Sequence, residues 1–455
     1  MTILGKLQRL ATSSAAIMAS RLAGAGVGFL TQFLLVKLMG SHELGLFYGA
    51  SSLAAVLGVI VSQGYPQIAA RFVGRYRNKN NAALAGRFAG HAMKEGLLAA
   101  LLAAAAVTLW AYTWPGIDPG ERLAFAMAGW MLPAIVTLNI MTNIAGGMRE
   151  FILCYMPEGL FRPILFFVAI GAAGIGGFAL SGTAAMAIFG LITAGLALIV
   201  TAIMIWRMPP IRWRAPAHTP LAWRWRKEGW QIVMMAVFTN FFADVGILVA
   251  VPFLSNSETA IFGLCLKLAL LVGYFVQIGQ QMVVPDMADA RHAGDDEKLR
   301  AAAWRSIKLP SLLCVAAFAI IYVFGDPLLR QFGPEFAGGR TALLILIAAQ
   351  FLRAGAGPGV HLLTLSGVQS INMGVALSSL LLLFLTSAIL CPMLGVEGAA
   401  LSVLIVYAYW LGVTALALRY LKEPAVDLAW LVLGQQRRRR AAALVSGPRR
   451  RSDPR

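Results

Sequence analysis

The chain has 455 residues, of which 59% are hydrophobic and only 13% charged, with a formal net charge of +18. A soluble domain carries about 25% charged residues, so a water-soluble globular fold is excluded. Apolar stretches of about 20 residues recur along the whole length, the repeat that a bilayer core of ~30 Å imposes on helices, and none is left over for a separate soluble domain.

Twelve spanning helices are expected, at 12–37, 45–70, 96–114, 123–146, 157–180, 183–206, 229–254, 259–284, 307–325, 341–365, 371–391 and 396–418. The first follows Lys6 and Arg9 and runs past Arg21 to about Leu38. That is the length of a spanning helix rather than of a cleaved signal peptide. On it Ser14, Arg21, Gly28 and Gln32 recur at seven and four, which puts them on one polar, small-residue stripe. The fifth helix opens with Glu158 and Arg162 at i and i+4, a spacing that predicts a simple ion pair.

The connection from Arg207 to Glu228 carries Pro209, Pro210, Pro216 and Pro220. It divides the chain into a six-helix lobe over 1–206, a basic linker over 207–228 and a second six-helix lobe over 229–420, followed by a basic tail over 421–455. An internal repeat supports the division. His42-Glu43-Leu44-Gly45-Leu46-Phe47 follows the first helix and Ser257-Glu258-Thr259-Ala260-Ile261-Phe262 follows the seventh. Both second helices then end at a proline before a basic stretch, at Pro66 to Arg71 and at Pro285 to Arg291. An even number of helices per lobe gives two lobes of the same orientation about a central cavity.

Three further helices carry polar residues at membrane depth. Helix 7 has Asn240 and Asp244; helix 8 has Gly263, Lys267, Tyr274, Gln277 and Gln281; helix 10 has Gln350, Arg353, Gly357, His361 and Thr364. A cation at the centre of a span costs roughly 2.5 to 3.5 kcal/mol, so such residues face a cavity or a partner. Arg21, Lys267 and Arg353 each lie about 12 to 18 Å from a helix end. If they meet Asp244 in the cavity, the charge there is about +2, a field suited to a diphosphate. Two readings of Asp244 stand at this point, pairing with Lys267 or binding a coupling ion.

Orientation follows from Lys and Arg in the connections. With the N-terminus inside, 30 of the 38 basic residues are cytoplasmic and four are external, so both termini are expected in the cytoplasm and the protein in the bacterial inner membrane. The segment 437–455 holds eight Arg and one Asp and is expected to face anionic phospholipid headgroups rather than nucleic acid. Cys154, Cys265, Cys314 and Cys391 and the five histidines are scattered, with no metal-ligand spacing and no redox pair, so neither a metal nor a cofactor is expected. No GxxxxGK[ST] occurs, which excludes ATP binding through a P-loop. Active transport would draw on an ion gradient, with Na⁺ or H⁺ as the coupling ion, or on the membrane potential or the substrate's own gradient.

Several short segments resemble the bacterial polysaccharide or O-antigen flippases of the multidrug/oligosaccharidyl-lipid/polysaccharide exporter superfamily. They are 40–47, Gly64-Tyr65-Pro66-Gln67, the Asp244 region, 257–262, Val284-Pro285, 324–329, Phe332-Gly333-Pro334-Glu335-Phe336 and 395–400, in order over nearly the whole chain. The resemblance implies a V-shaped pair of lobes that flips lipid-linked oligosaccharide, usually on undecaprenyl diphosphate, by alternating access. It also implies a cationic cavity, with Arg21 on the helix where relatives commonly carry arginine. Ala260 and Phe262 stand where Gly and Tyr are commoner. Substrate contacts are expected at Arg21, Lys267, Arg353, Gln32 and Gln281, ion coupling at Asp244, and a polysaccharide polymerase and glycosyltransferases as pathway partners. The rival readings are a cation-coupled drug exporter of the same superfamily and, as an enzyme, a membrane glycosyltransferase or O-antigen polymerase. The enzyme would need catalytic acids or cations on a sizeable external loop, and the acids of the largest, about 325–340, are Asp326 and Glu335, both part of the segments that carry the resemblance.

Overall fold

The computed structural model describes residues 14–207, 219–365 and 368–421, with 423, 424 and 426. Most of the basic tail, and 208–218 of the proline-rich linker, lie outside the described residues.

All described secondary structure is helical. The helices are α1 (Ser14–Val61), α2 (Tyr65–Asn78), α3 (Ala82–Thr113), α4 (Arg122–Trp130), α5 (Leu132–Gly147), α6 (Phe151–Met156), α7 (Arg162–Ile175) and α8 (Gly182–Arg207), then α9 (Thr219–Asn240), α10 (Phe242–Ala250), α11 (Asn256–Met282), α12 (Val284–His292), α13 (Asp296–Arg330), α14 (Arg340–Gly355), α15 (Gly359–Leu365) and α16 (Gln369–Tyr420). A π-helical turn, Pro157–Phe161, joins α6 to α7.

Among the described residues nine helices are long and apolar enough to cross a membrane, and ten if Pro220–Asn240 and Phe242–Phe253, bent by 78°, form one span. Two of these are broken midway at a glycine. Ser370–Tyr420, with 51 residues, would extend roughly 77 Å at 1.5 Å per residue, more than twice a bilayer core. It breaks at Gly395 (φ 55°, ψ −129°), and α1 breaks at Gly40 (φ 72°, ψ 169°), both conformations that favour glycine. Counting each as two spans gives the twelve expected. The protein is therefore a multi-pass, all-helical membrane protein.

Helices α1 to α8 pack on one another, as do α10 to α16, and α11 lies along α1 between the two halves. The repeated segments meet there. Ser41 Oγ donates to Ser257 Oγ at 3.3 Å, Asn256 Nδ2 lies 3.2 Å from His42 Nε2, and Asn256 also donates to Glu121. Gly45 permits this approach, because a Cβ there would collide with the Asn256 carbonyl. Glu258 closes a capping box with Ser255 at the start of α11, so this acidic residue serves the helix end.

At the opposite end the second half is fastened by α9. Residues 219–228, which the sequence placed in the linker, are helical and lie on α2 and α3. Trp225 is fully buried, its indole N–H donates to Tyr76 Oη at 3.0 Å, and its ring meets Phe88 edge-on at 5.2 Å. Arg226 pairs with Glu95, which also accepts from Tyr65 Oη at 2.5 Å, and Arg71 pairs with Glu228. Gly64 (φ 74°) and Gly229 bring their backbones together, and a Cβ on either would strike the other strand of chain.

Candidate functional site

A cavity of about 320 Å³ lies between the halves, lined by α1, α4, α5, the π turn and α7 on one side and by Phe241, Asp244 and Lys267 on the other. Its apolar wall includes Phe47, Met131, Phe166 and Phe189. Among the described residues four ionisable side chains line it: Glu158, Arg162, Asp244 and Lys267.

Each of these charges rests on a neutral partner. Lys267 Nζ stands 4.0 Å from the centroid of the Tyr48 ring, a cation–π contact. Tyr48 is fully buried, and its hydroxyl donates to Gln32 Oε1 at 2.6 Å, which turns the Gln32 amide N–H₂ away from that bond and leaves it to donate elsewhere. Gly263 makes room for the ring, since a Cβ there would sit 2.5 Å from Tyr48 Cδ2. Asp244 accepts from Ser52 Oγ at 3.3 Å, and the Arg162 guanidinium lies 5.3 Å from the Phe189 centroid. With its amide nitrogen toward Glu158, Asn139 donates to both carboxylate oxygens, at 2.5 and 3.2 Å.

The expected Glu158–Arg162 ion pair does not form: no nitrogen of Arg162 comes within 4.0 Å of the carboxylate. The i, i+4 rule presumes 3.6 residues per turn, and residues 157–161 are π-helical, with Arg162 N–H bonded back to Pro157 O. Pro163 lacks the N–H that would bond the Gly159 carbonyl. That carbonyl instead faces α1 at Gly24, where a Cβ would collide with it. Asp244 and Lys267 likewise face one cavity without a contact within 4.0 Å. The described lining therefore holds two carboxylates and two cations, in place of the net +2 expected from one carboxylate and three cations.

Of the residues singled out from sequence, Lys267, Gln32 and Asp244 come together here. Arg21 lies on α1, one turn before Ala25, and its side chain is outside the described residues. Arg353 is in the last turn of α14 and does not line the cavity; it packs with Gln350 against Gly273 of α11, inside the second half. Gln281 is exposed near the end of α11, four turns and roughly 21 Å beyond Lys267. Its neighbour Gln280 is buried and donates to Gly357 O at 3.0 Å. Sequence reasoning missed Tyr48 and Asn139, whose only signal was a polar atom within an apolar helix.

A second, apolar cleft of about 190 Å³ adjoins the cavity and shares Gly28, Gln32 and Lys267 with it. Its remaining lining is Ala25, Phe29, Leu264, Leu268, Leu270 and Leu271, from α1 and α11. The combined space has one charged compartment and one hydrocarbon compartment, with Lys267 at the junction.

No protein-family model and no curated protein sequence matches the chain. Solved structures do. The lipid II flippase MurJ in an inward closed conformation superposes with a TM-score of 0.73 at 12% identity, over 96% of this chain and 94% of that one. A multidrug resistance MATE family transporter of the MOP superfamily, inward-facing, gives 0.70 at 14% identity over 94% and 99%. An outward-facing conformation of a transporter so described gives 0.57 at 17% identity over 95% of each chain. The chain thus has the fold of these membrane transporters and is most similar, among the three, to the two inward conformations.

Proposed function

We propose that the protein is a flippase that moves a lipid-linked oligosaccharide, of the undecaprenyl diphosphate type, from the inner to the outer leaflet of the bacterial cytoplasmic membrane by alternating access. The observation that carries this reading is the junction at Lys267, where a charged cavity opens onto an apolar cleft. A ligand with an anionic head and a hydrocarbon tail satisfies both compartments at once; a hydrophilic solute satisfies one. Lys267 takes the diphosphate by charge-assisted contact and Gln32 offers its amide N–H₂ to a sugar oxygen. Arg21, on the same stripe of α1, completes the headgroup site, while Arg353 and Gln281, away from the lining, are left out of it. Asp244 is the candidate for binding Na⁺ or H⁺. Both termini are cytoplasmic in this reading, the basic tail lies at the phospholipid surface, and a polymerase and glycosyltransferases act before and after the flip.

A cation-coupled drug exporter is favoured by one specific observation, the two cavity carboxylates whose hydrogen bonds among the described residues run to Ser52 and Asn139. Reconstituted protein separates the readings. Translocation of a fluorescent polyprenyl-diphosphate-linked glycan, slowed when an imposed gradient is collapsed, supports the first. Gradient-driven movement of a lipophilic cationic dye, with the lipid-linked glycan stationary, replaces it with the second.

A further inference from the structure

We infer that Glu158 and Arg162, with Asn139, form a sugar-reading wall that selects a glycan bearing both an ammonium and a carboxylate substituent, such as linked amino and uronic acid sugars. This rests on the lipid-linked oligosaccharide reading above.

The wall belongs to one half and Lys267 to the other, across the same cavity. With Lys267 committed to the diphosphate beside the apolar cleft, the head of the ligand extends toward the π turn. There a carboxylate and a guanidinium stand on one short stretch of chain, yet neither satisfies the other. Opposite charges this near in sequence normally collapse together, because a charge drawn out of water is costly unless paired. The π turn and the Gly24 contact hold this stretch away from regular helix, and the charges rest instead on an amide and an aromatic ring.

Both partners are weaker than an ion pair and easily exchanged for a ligand group. A neutral sugar would leave both charges as they are. A purely anionic head would use Arg162 and bring its charge up against Glu158. A head with both substituents satisfies the wall completely, the ammonium on Glu158 and the carboxylate on Arg162 as a two-pronged contact.

The test uses the full chain in proteoliposomes and four polyprenyl-diphosphate-linked disaccharides of equal size, one neutral, one with a uronic acid, one with an amino sugar and one with both. Flipping is read by an impermeant quencher, with KM and maximal rate separated. The expected result is a KM roughly 10-fold lower for the doubly charged head than for the neutral one, the scale of one charge-assisted hydrogen bond. Glu158→Gln should raise KM only for the heads with an amino group, and Arg162→Gln only for those with a carboxylate. Equal KM for all four heads on the unmodified protein would overturn the inference and leave the flippase reading standing, whether or not either variant folds. Loss of gradient dependence for every head in Glu158→Gln would also overturn it, by making Glu158 an ion-coupling group. Failure to move any of the four heads would remove the flippase reading itself.

Discussion

The ammonium of Lys267, on α11, sits 4.0 Å above the ring of Tyr48, on the second arm of α1, and the Tyr48 hydroxyl donates to Gln32 on the first arm. One buried tyrosine therefore positions a cation from one half and an amide from the other. Removing only the hydroxyl, in Tyr48→Phe, should cost the hydrogen bond, about 0.5 to 1.5 kcal/mol, and reduce transport up to about 10-fold. Tyr48→Leu also removes the π face, worth about 2 kcal/mol when desolvated, and should reduce it by a further ~30-fold. Transport normalised to membrane abundance checks both; equal losses in the two variants would leave the ring without a role.

Close approaches at glycine make a second set of expectations. Gly45→Ala and Gly263→Ala place a methyl against the Asn256 carbonyl and the Tyr48 ring, and overpacking of this kind costs about 1 to 3 kcal/mol. Both should lower the thermal stability of the detergent-solubilised protein. Gly26→Ala, with no atom within 4 Å of its Cβ position, is the control and should change little.

The clasp of α9 can be measured by a double-mutant cycle. Arg226 is about half exposed and Glu95 less so, with side-chain accessibilities of 48% and 19%, and their attraction is accordingly screened. Glu95→Gln and Arg226→Gln should each destabilise modestly, and the double variant should be less destabilised than the two added, with a coupling of about 0.5 to 1 kcal/mol. Strict additivity in thermal melts would show that the pair contributes nothing.

Membrane orientation is open to direct labelling. Cysteines at Asp118 and Gly333 should react with an impermeant thiol reagent in intact cells, and one at Ala217, outside the described residues, should not. Reaction at Ala217 in sealed cells would reverse the assignment drawn from the basic connections.

Much of this architecture was legible in the sequence because membranes impose length. Twelve apolar runs required twelve crossings, and the heptad-like spacing of Gly28, Gln32 and Lys267 put them on faces that do line the cavity. The same spacing placed Arg353 on a polar face without telling which neighbour that face meets, and it meets α11 within its own half. Glu158 and Arg162 were misread because a π turn has no sequence signature beyond flanking prolines, here Pro157 and Pro163, and the pairing rule assumes regular helix. Tyr48 was hidden for a different reason. An aromatic residue in an apolar stretch looks like core, and it is core; only its tertiary neighbours give its hydroxyl and its π face a task.

The grip of α9 on α2 and α3 has a consequence for how the gene could be divided. Cut anywhere in 208–218, the chain would yield a second fragment that carries Trp225 and Arg226 as a projecting handle, with its mate for that handle, Tyr76, Phe88 and Glu95, wholly on the first. Coexpressed pieces would then have a specific way to find each other. Cut instead between Asn240 and Phe242, the handle stays bound to the first piece, and the remainder meets that piece through α10 and α11 on α1 and through α16 on α9.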